Sequence, residues 1–101
     1  MFREFTLEVT KRGIPPLYAQ EEVKDPLTYL QIELLLFDWK WFVLEAEIKN
    51  DDILFFGFVQ GFENELGYFS LSELTETKHP IKIKWFDEPV TLSQIKQKYN
   101  L

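Results

Sequence analysis

The chain contains no cysteine and a single histidine, His79. The first absence excludes disulfides, thiolate zinc sites, iron–sulfur clusters and a cysteine nucleophile. The second excludes any site that needs two imidazole ligands, and leaves a Ser-His-Asp arrangement only one histidine to use. His79 precedes Pro80 in a polar Glu-Thr-Lys segment, the setting of an exposed loop residue rather than of a general base. No apolar run approaches the ~20 residues of a membrane-spanning helix, so no membrane association is expected. Met1-Phe2-Arg3-Glu4 lacks the basic-then-apolar opening of a secretory signal, which makes the cytoplasm the expected location. Glycine is scarce, at four residues, and neither Gly57 nor Gly61 has the strand–turn–helix context of a phosphate-binding loop. Basic residues are few: 11 Lys and Arg stand against 17 Asp and Glu, a net charge of −6. That balance argues against direct nucleic-acid binding, which needs a basic footprint. Neither a cofactor nor a metal site is expected.

What is present is apolar and aromatic. Hydrophobic residues make up 46% of the 101, and 10 Phe, 3 Trp and 4 Tyr must furnish much of the core. A domain this small buries only about two thirds of the surface of its unfolded chain, so large rings are the economical filling. Residues 1–101 are expected to form a single domain. The charge is uneven: residues 1–26 carry a net −1, residues 27–76 a net −8 and residues 77–101 a net +3. The middle half of the chain is thus both its most apolar and its most acidic part.

Periodicity supplies the elements. Residues 2–13 are ambiguous, since Phe5, Leu7 and Val9 alternate like a strand while Phe2, Phe5 and Val9 fall on one helical face. Lys11-Arg12-Gly13 suits a helix ending. Pro15-Pro16 then forces an extended segment running to Pro26. Residues 27–37 read as a strand with Leu30, Ile32, Leu34 and Leu36 on one face. After a reversal at Asp38, residues 39–49 read as a second strand. Phe42, Leu44, Ala46 and Ile48 form its apolar face; Trp39, Trp41, Val43, Glu45 and Glu47 lie on its reverse. Asn50-Asp51 offers a turn tolerant of positive φ. Residues 53–62 read as a third strand, apolar on both faces, in which Gly57 and Gly61 mark a bulge or room for an aromatic ring. Residues 63–67 read as a turn, followed by a short extended piece at Tyr68-Phe69. Ser70 with Glu73 and Thr91 with Gln94 fit capping boxes opening two helices. Between them, Ile81, Ile83 and Trp85 alternate with Lys82 and Lys84 as a half-buried edge strand. The expected fold is α+β: a central antiparallel sheet of about four strands with short N-terminal, middle and C-terminal helices.

A set of these residues carries a resemblance. Pro15-Pro16-Leu17-Tyr18-Ala19-Gln20-Glu21-Glu22, Trp41 with Glu45, Phe55-Phe56-Gly57, Gly61-Phe62-Glu63 and Glu65-Leu66-Gly67-Tyr68-Phe69-Ser70-Leu71-Ser72-Glu73-Leu74 stand in this order. Together they resemble the small bacterial domain-of-unknown-function family numbered two-nine-five-eight, over roughly residues 14–93 of this chain. Phe86 to Leu92 is similar to that family's aromatic–Pro–Leu ending, whereas Lys84-Trp85 departs from an Arg-Asp pair expected just before it. The resemblance implies a single-domain bacterial protein of plasmids or other mobile elements, favours a helix over residues 2–13, and implies no activity.

Three kinds of function follow. Tyr29, Trp39 and Trp41 on a face shared with Glu33, Glu45 and Glu47, together with the Glu63–Glu65 turn and Tyr68, make a candidate protein-binding surface, because aromatic rings beside charges are enriched at interfaces. Its partner would be a basic protein. A non-enzymatic interaction module is the leading reading. An acidic anti-defence protein mimicking DNA is the second, motivated by the net −8 of residues 27–76. A small carboxylate-dependent hydrolase using Glu45, Glu63 or Glu65 is the third, and requires those carboxylates to converge in a pocket. Ser70 and Ser72 are read as helix-start residues, and no catalytic residue is assigned.

Overall fold

The computed structural model describes residues 2–101. In chain order the elements are α1 (Phe2–Lys11), β1 (Leu27–Leu34), β2 (Trp39–Lys49), β3 (Asp52–Gln60), β4 (Asn64–Ser70), α2 (Leu71–Glu76), β5 (Ile81–Thr91) and α3 (Leu92–Tyr99). The fold is α+β, with one five-stranded antiparallel sheet in the order β4-β3-β2-β1-β5. The expected architecture holds, with five strands in place of about four.

The ambiguity at the N-terminus resolves as a helix. Phe5 and Val9, one turn apart, are buried, and the Phe5 ring packs on Phe55 and Trp85. The helix ends as its sequence suggests: Gly13 takes a φ of +67°, and the amide of Ile14 reaches back to the Val9 carbonyl. Asn50 likewise supplies a positive φ of +47° between β2 and β3. Both cap predictions place a helix correctly. Thr91 and Gln94 exchange both bonds of a capping box. At Ser70 only the forward bond forms, and the Glu73 carboxylate accepts the Ser70 hydroxyl rather than the Ser70 amide.

The sheet divides the core in two. On one face α1 and α2 cover Leu30, Ile32, Val43, Ala46, Ile53, Phe55 and Phe69. On the other, α3 covers Phe42 and Phe58 with Leu92 and Ile95. β3, one strand in from the edge, is therefore apolar on both sides for the reason its sequence suggests.

Several strand boundaries differ from the expected ones, and β3 covers Asp52–Gln60 rather than 53–62. β1 stops at Leu34, and residues 35–38 form the reversal, with the amide of Phe37 bonding to the Leu34 carbonyl. Residues 64–67 are strand rather than turn. A tight reversal over 61–63, closed by Gly61 N–H donating to the Glu63 carbonyl, lets β4 pair with β3 from Asn64 onward. β5 runs on to Thr91, with an irregularity opposite Tyr29 where residues 86–89 leave the ladder.

Candidate functional site

A β-bulge decides where the candidate residues point. Val43 of β2 stands opposite Gly57, but the next pair is Glu45 with Phe56, so Leu44 is extra. One extra residue reverses the facing of everything beyond it. Trp39, Trp41 and Val43 lie on the α1 face with Leu34, Ile32 and Leu30 opposite them; beyond the bulge, Ala46 and Ile48 take that face. Glu45 and Glu47 are turned to the α3 face. The expected surface combining Trp39 and Trp41 with Glu33, Glu45 and Glu47 is thus split by the sheet, as is the expected apolar face of Phe42, Leu44, Ala46 and Ile48. Gly57 is what permits the bulge. A Cβ there would sit 2.0 Å from the Phe42 carbonyl oxygen, so the two backbones meet only across glycine.

The bulge is held from outside the sheet. Glu45, only 3% exposed, accepts the amides of Tyr18 at 2.8 Å and Gln20 at 2.7 Å through its two carboxylate oxygens. The Gln20 side-chain amide donates to the carbonyls of Leu44 and Leu27 and accepts the Leu27 amide. Pro15 carbonyl oxygen takes the Ala46 amide. Tyr18 has a left-handed φ of +73°, uncommon for a bulky residue, which turns its amide and that of Gln20 toward one carboxylate. Buried charge is tolerated where it is hydrogen-bonded in this way. Glu45 is therefore an anchor for the segment preceding β1.

That segment, β3, β4 and α3 enclose a cleft of about 350 Å³, lined among others by Tyr18, Glu21, Lys24, Phe56, Leu66 and Tyr68. A hydrogen bond with Tyr18 pushes the Tyr68 phenol above its ordinary value, helped by desolvation and by the Glu45 and Glu21 carboxylates. Tyr68 thus stays protonated at neutral pH and is a hydrogen-bond donor rather than a base.

The other residues scatter. Tyr29 packs at the margin of the α1 core beside Lys11, Arg12 and Phe86. Glu47 lies near the far end of β2, 3.7 Å from Lys49. Glu63 sits in the β3–β4 reversal and Glu65 on β4 opposite Val59, on the sheet face opposite Glu45. Glu45, Glu63 and Glu65 do not converge. Among the described residues no group of three or more His, Asp or Glu is placed to hold a metal ion. The hydroxyls of Ser70 and Ser72 serve the start of α2, where Asp52 accepts both the Ser72 hydroxyl and its amide.

Trp39 and Trp41, both half-buried, lead instead to one end of the sheet. The β1–β2 and β3–β4 reversals lie side by side there. Trp39 meets the edge of Phe62 with ring centroids 5.0 Å apart, and the Gln60 side-chain amide donates to the Asp38 carbonyl at 3.4 Å. The Trp39 ring lies over Gly61, where a Cβ would come within 2.5 Å of it. Phe62 is 97% exposed, and Leu35, Leu36 and Phe37 are all more than half exposed. Phe37 packs edge-on to His79 from the α2–β5 connection. A shallow hollow of about 270 Å³ beneath this tip is lined by Leu34, Trp39, Trp41, Phe69, Leu74 and Glu73. Asp38, paired with Lys40 at 3.0 Å, and Glu63 belong to the same two reversals, and Glu73 lines the hollow. Leu35, Leu36, Phe37 and Phe62 are placed by the sequence in the 27–37 and 53–62 strands and are not among its candidate binding residues. Their one signal is that Leu34-Leu35-Leu36-Phe37 breaks strict alternation, so a single-faced strand cannot bury all four.

No helix among the described residues is long and apolar enough to cross a membrane. No family model matches this chain, and neither a curated protein nor a solved structure matches it.

Proposed function

We propose that this protein is a non-enzymatic interaction module that engages a basic protein through the tip formed by Leu35, Leu36, Phe37 and Phe62. The observation that carries this reading is the exposure of four large apolar side chains, Phe62 almost completely, on two reversals tied together by Trp39 and Gln60. Isolated apolar side chains on a surface need no explanation, but several gathered on two adjoining reversals mark a docking site. Glu63 next to Phe62 and Glu73 in the hollow below favour a partner whose apolar patch is flanked by Lys or Arg. Trp39 and Trp41 support the tip from below. The resemblance to the domain-of-unknown-function family fits here as part of the proposal, since its Gly61-to-Leu74 stretch includes Phe62, Glu63 and Glu73.

The DNA-mimic reading has less behind it. Several acids of the net −8 segment serve the fold: Glu45 is interior, Asp52 caps α2 and Asp38 pairs with Lys40 at 3.0 Å. The hydrolase reading lacks converging carboxylates.

The test uses the double variant Leu36→Ser/Phe62→Ser. A partner recovered from the native host and then purified should lose at least about tenfold in affinity, more than 1.4 kcal/mol, while circular dichroism stays native. Cross-links should fall within residues 35–38 and 61–65, and affinity should weaken with added salt. Undiminished binding to the double variant overturns the proposal.

A further inference from the structure

The two edges of the sheet are finished differently. β5 carries Lys82, Lys84 and Pro89 and an irregular ladder, all devices that discourage pairing with another strand. β4 has no Lys, Arg or Pro, and its register with β3 is unbroken from Asn64 to Ser70. The Gly61 amide donates to the Glu63 carbonyl, which fixes the alternation of the ladder. Glu65, Gly67 and Phe69 turn their backbone groups inward to β3, and Leu66 and Tyr68 turn theirs to the open edge. The side chains of Leu66 and Tyr68, 53% and 52% exposed, flank Gly67 on one face.

We propose that β4 pairs antiparallel with β4 of a second copy of this chain, about a two-fold axis at Gly67. In that register Leu66 of each copy faces Tyr68 of the other, and their free N–H and C=O groups complete a new ladder. Each exposed aromatic is covered by an aliphatic partner, a favourable cross-strand pair. Gly67 meets Gly67, and Glu65 meets Phe69, so no like charges stand opposite. Moving the axis to Glu65 would set two carboxylates face to face, and moving it to Leu66 would leave Tyr68 against Asn64. The contact is self-complementary, as a two-fold interface must be. One strand pair buries less than the ~1,200–2,000 Å² of a standard interface, so the dimer is expected to dissociate in the micromolar range. The inference stands apart from the tip reading, since it uses backbone groups of β4 that the tip does not.

Sedimentation velocity of the full chain from about 5 to 500 µM should show a concentration-dependent dimer. Gly67 has a negative φ and nothing within 4 Å of an added Cβ, so the monomer accommodates a side chain there. Gly67→Lys should raise the dissociation constant at least tenfold through facing ammonium groups, and Gly67→Glu should do the same through facing carboxylates. Mixing the two variants should restore the dimer. Leu66→Lys, which places a charge against Tyr68, should also weaken it, and Gly67→Cys should yield a covalent dimer on oxidation. A monomer at every concentration overturns the proposal, as does a dimer indifferent to Gly67→Lys, a mixture that stays monomeric, or a dimer dissolved by Leu36→Ser/Phe62→Ser. Binding of a separate tip partner should survive Gly67→Lys.

Discussion

Glu45 shows how much one side chain can organise. Its two oxygens take the amides of Tyr18 and Gln20, and Gln20 in turn secures the extra residue of β2. Removing the carboxylate strands two amides in a site from which water is largely excluded. Glu45→Ala should therefore cost about 2–4 kcal/mol, read as a lower urea midpoint with an unchanged slope. Glu45→Gln should cost less than Ala but remain destabilising, because one of its two positions becomes a donor facing a donor. Gly57 in β3 and Gly61 just after it make a second comparison. At Gly57 the obstacle to a Cβ is backbone, so Gly57→Ala should destabilise by more than about 3 kcal/mol or prevent folding. At Gly61 the obstacle is the Trp39 ring, which can shift, so Gly61→Ala should cost about 1–3 kcal/mol. Both glycines are legible in the sequence, since glycine within a strand pattern needs a reason. The role of Glu45 is not: nothing local distinguishes it from Glu47, and its partners lie 25 and 27 residues away.

At the scale of elements, the helix starts were the most legible features and the strand faces the least. Caps are local chemistry, written within four residues, whereas the bulge at Leu44 is maintained by Pro15, Gln20 and Gly57 from elsewhere in the chain. Without those contacts Phe42, Leu44, Ala46 and Ile48 read as an ordinary alternating face. The run Leu35-Leu36-Phe37 misled for the opposite reason, since exposed apolar residues that continue a strand pattern read as strand. The helix starts also carry a pH dependence. Bonds from Ser72 hold the Asp52 carboxyl below the ordinary aspartate value of 3.8, and bonds from Ser93 do the same for Asp25 at α3. A depressed folded-state value means stability that is present above the unfolded value and lost as pH falls through the folded one. Urea midpoints should thus be flat from neutrality to about pH 5 and decline below it. Asp52→Asn and Asp25→Asn should each lower stability at pH 7 and flatten that acid decline; a decline as steep as the parent's in the double variant would rule these caps out as its source.

Across the whole molecule, the order β4-β3-β2-β1-β5 puts β2 in the middle, paired on both sides and roofed on both faces. Its centre, Phe42 and Val43, is fully buried. Opening this strand requires the separation of both cores, so these amides should exchange only through global unfolding. Their exchange free energy should match that from urea melts, of order 5–10 kcal/mol. The stretch 86–89, outside the ladder and exposed over most of its length, should exchange orders of magnitude faster by local opening. Glu45→Ala separates the two regimes. If the 14–26 segment is held chiefly by that carboxylate, the Tyr18 and Gln20 amides should lose their protection almost entirely. Phe42 and Val43 should fall only by the change in global stability. Equal losses at all four amides would mean that the segment and the sheet unfold as one unit, and that Glu45 stabilises the whole fold rather than fastening one segment to it.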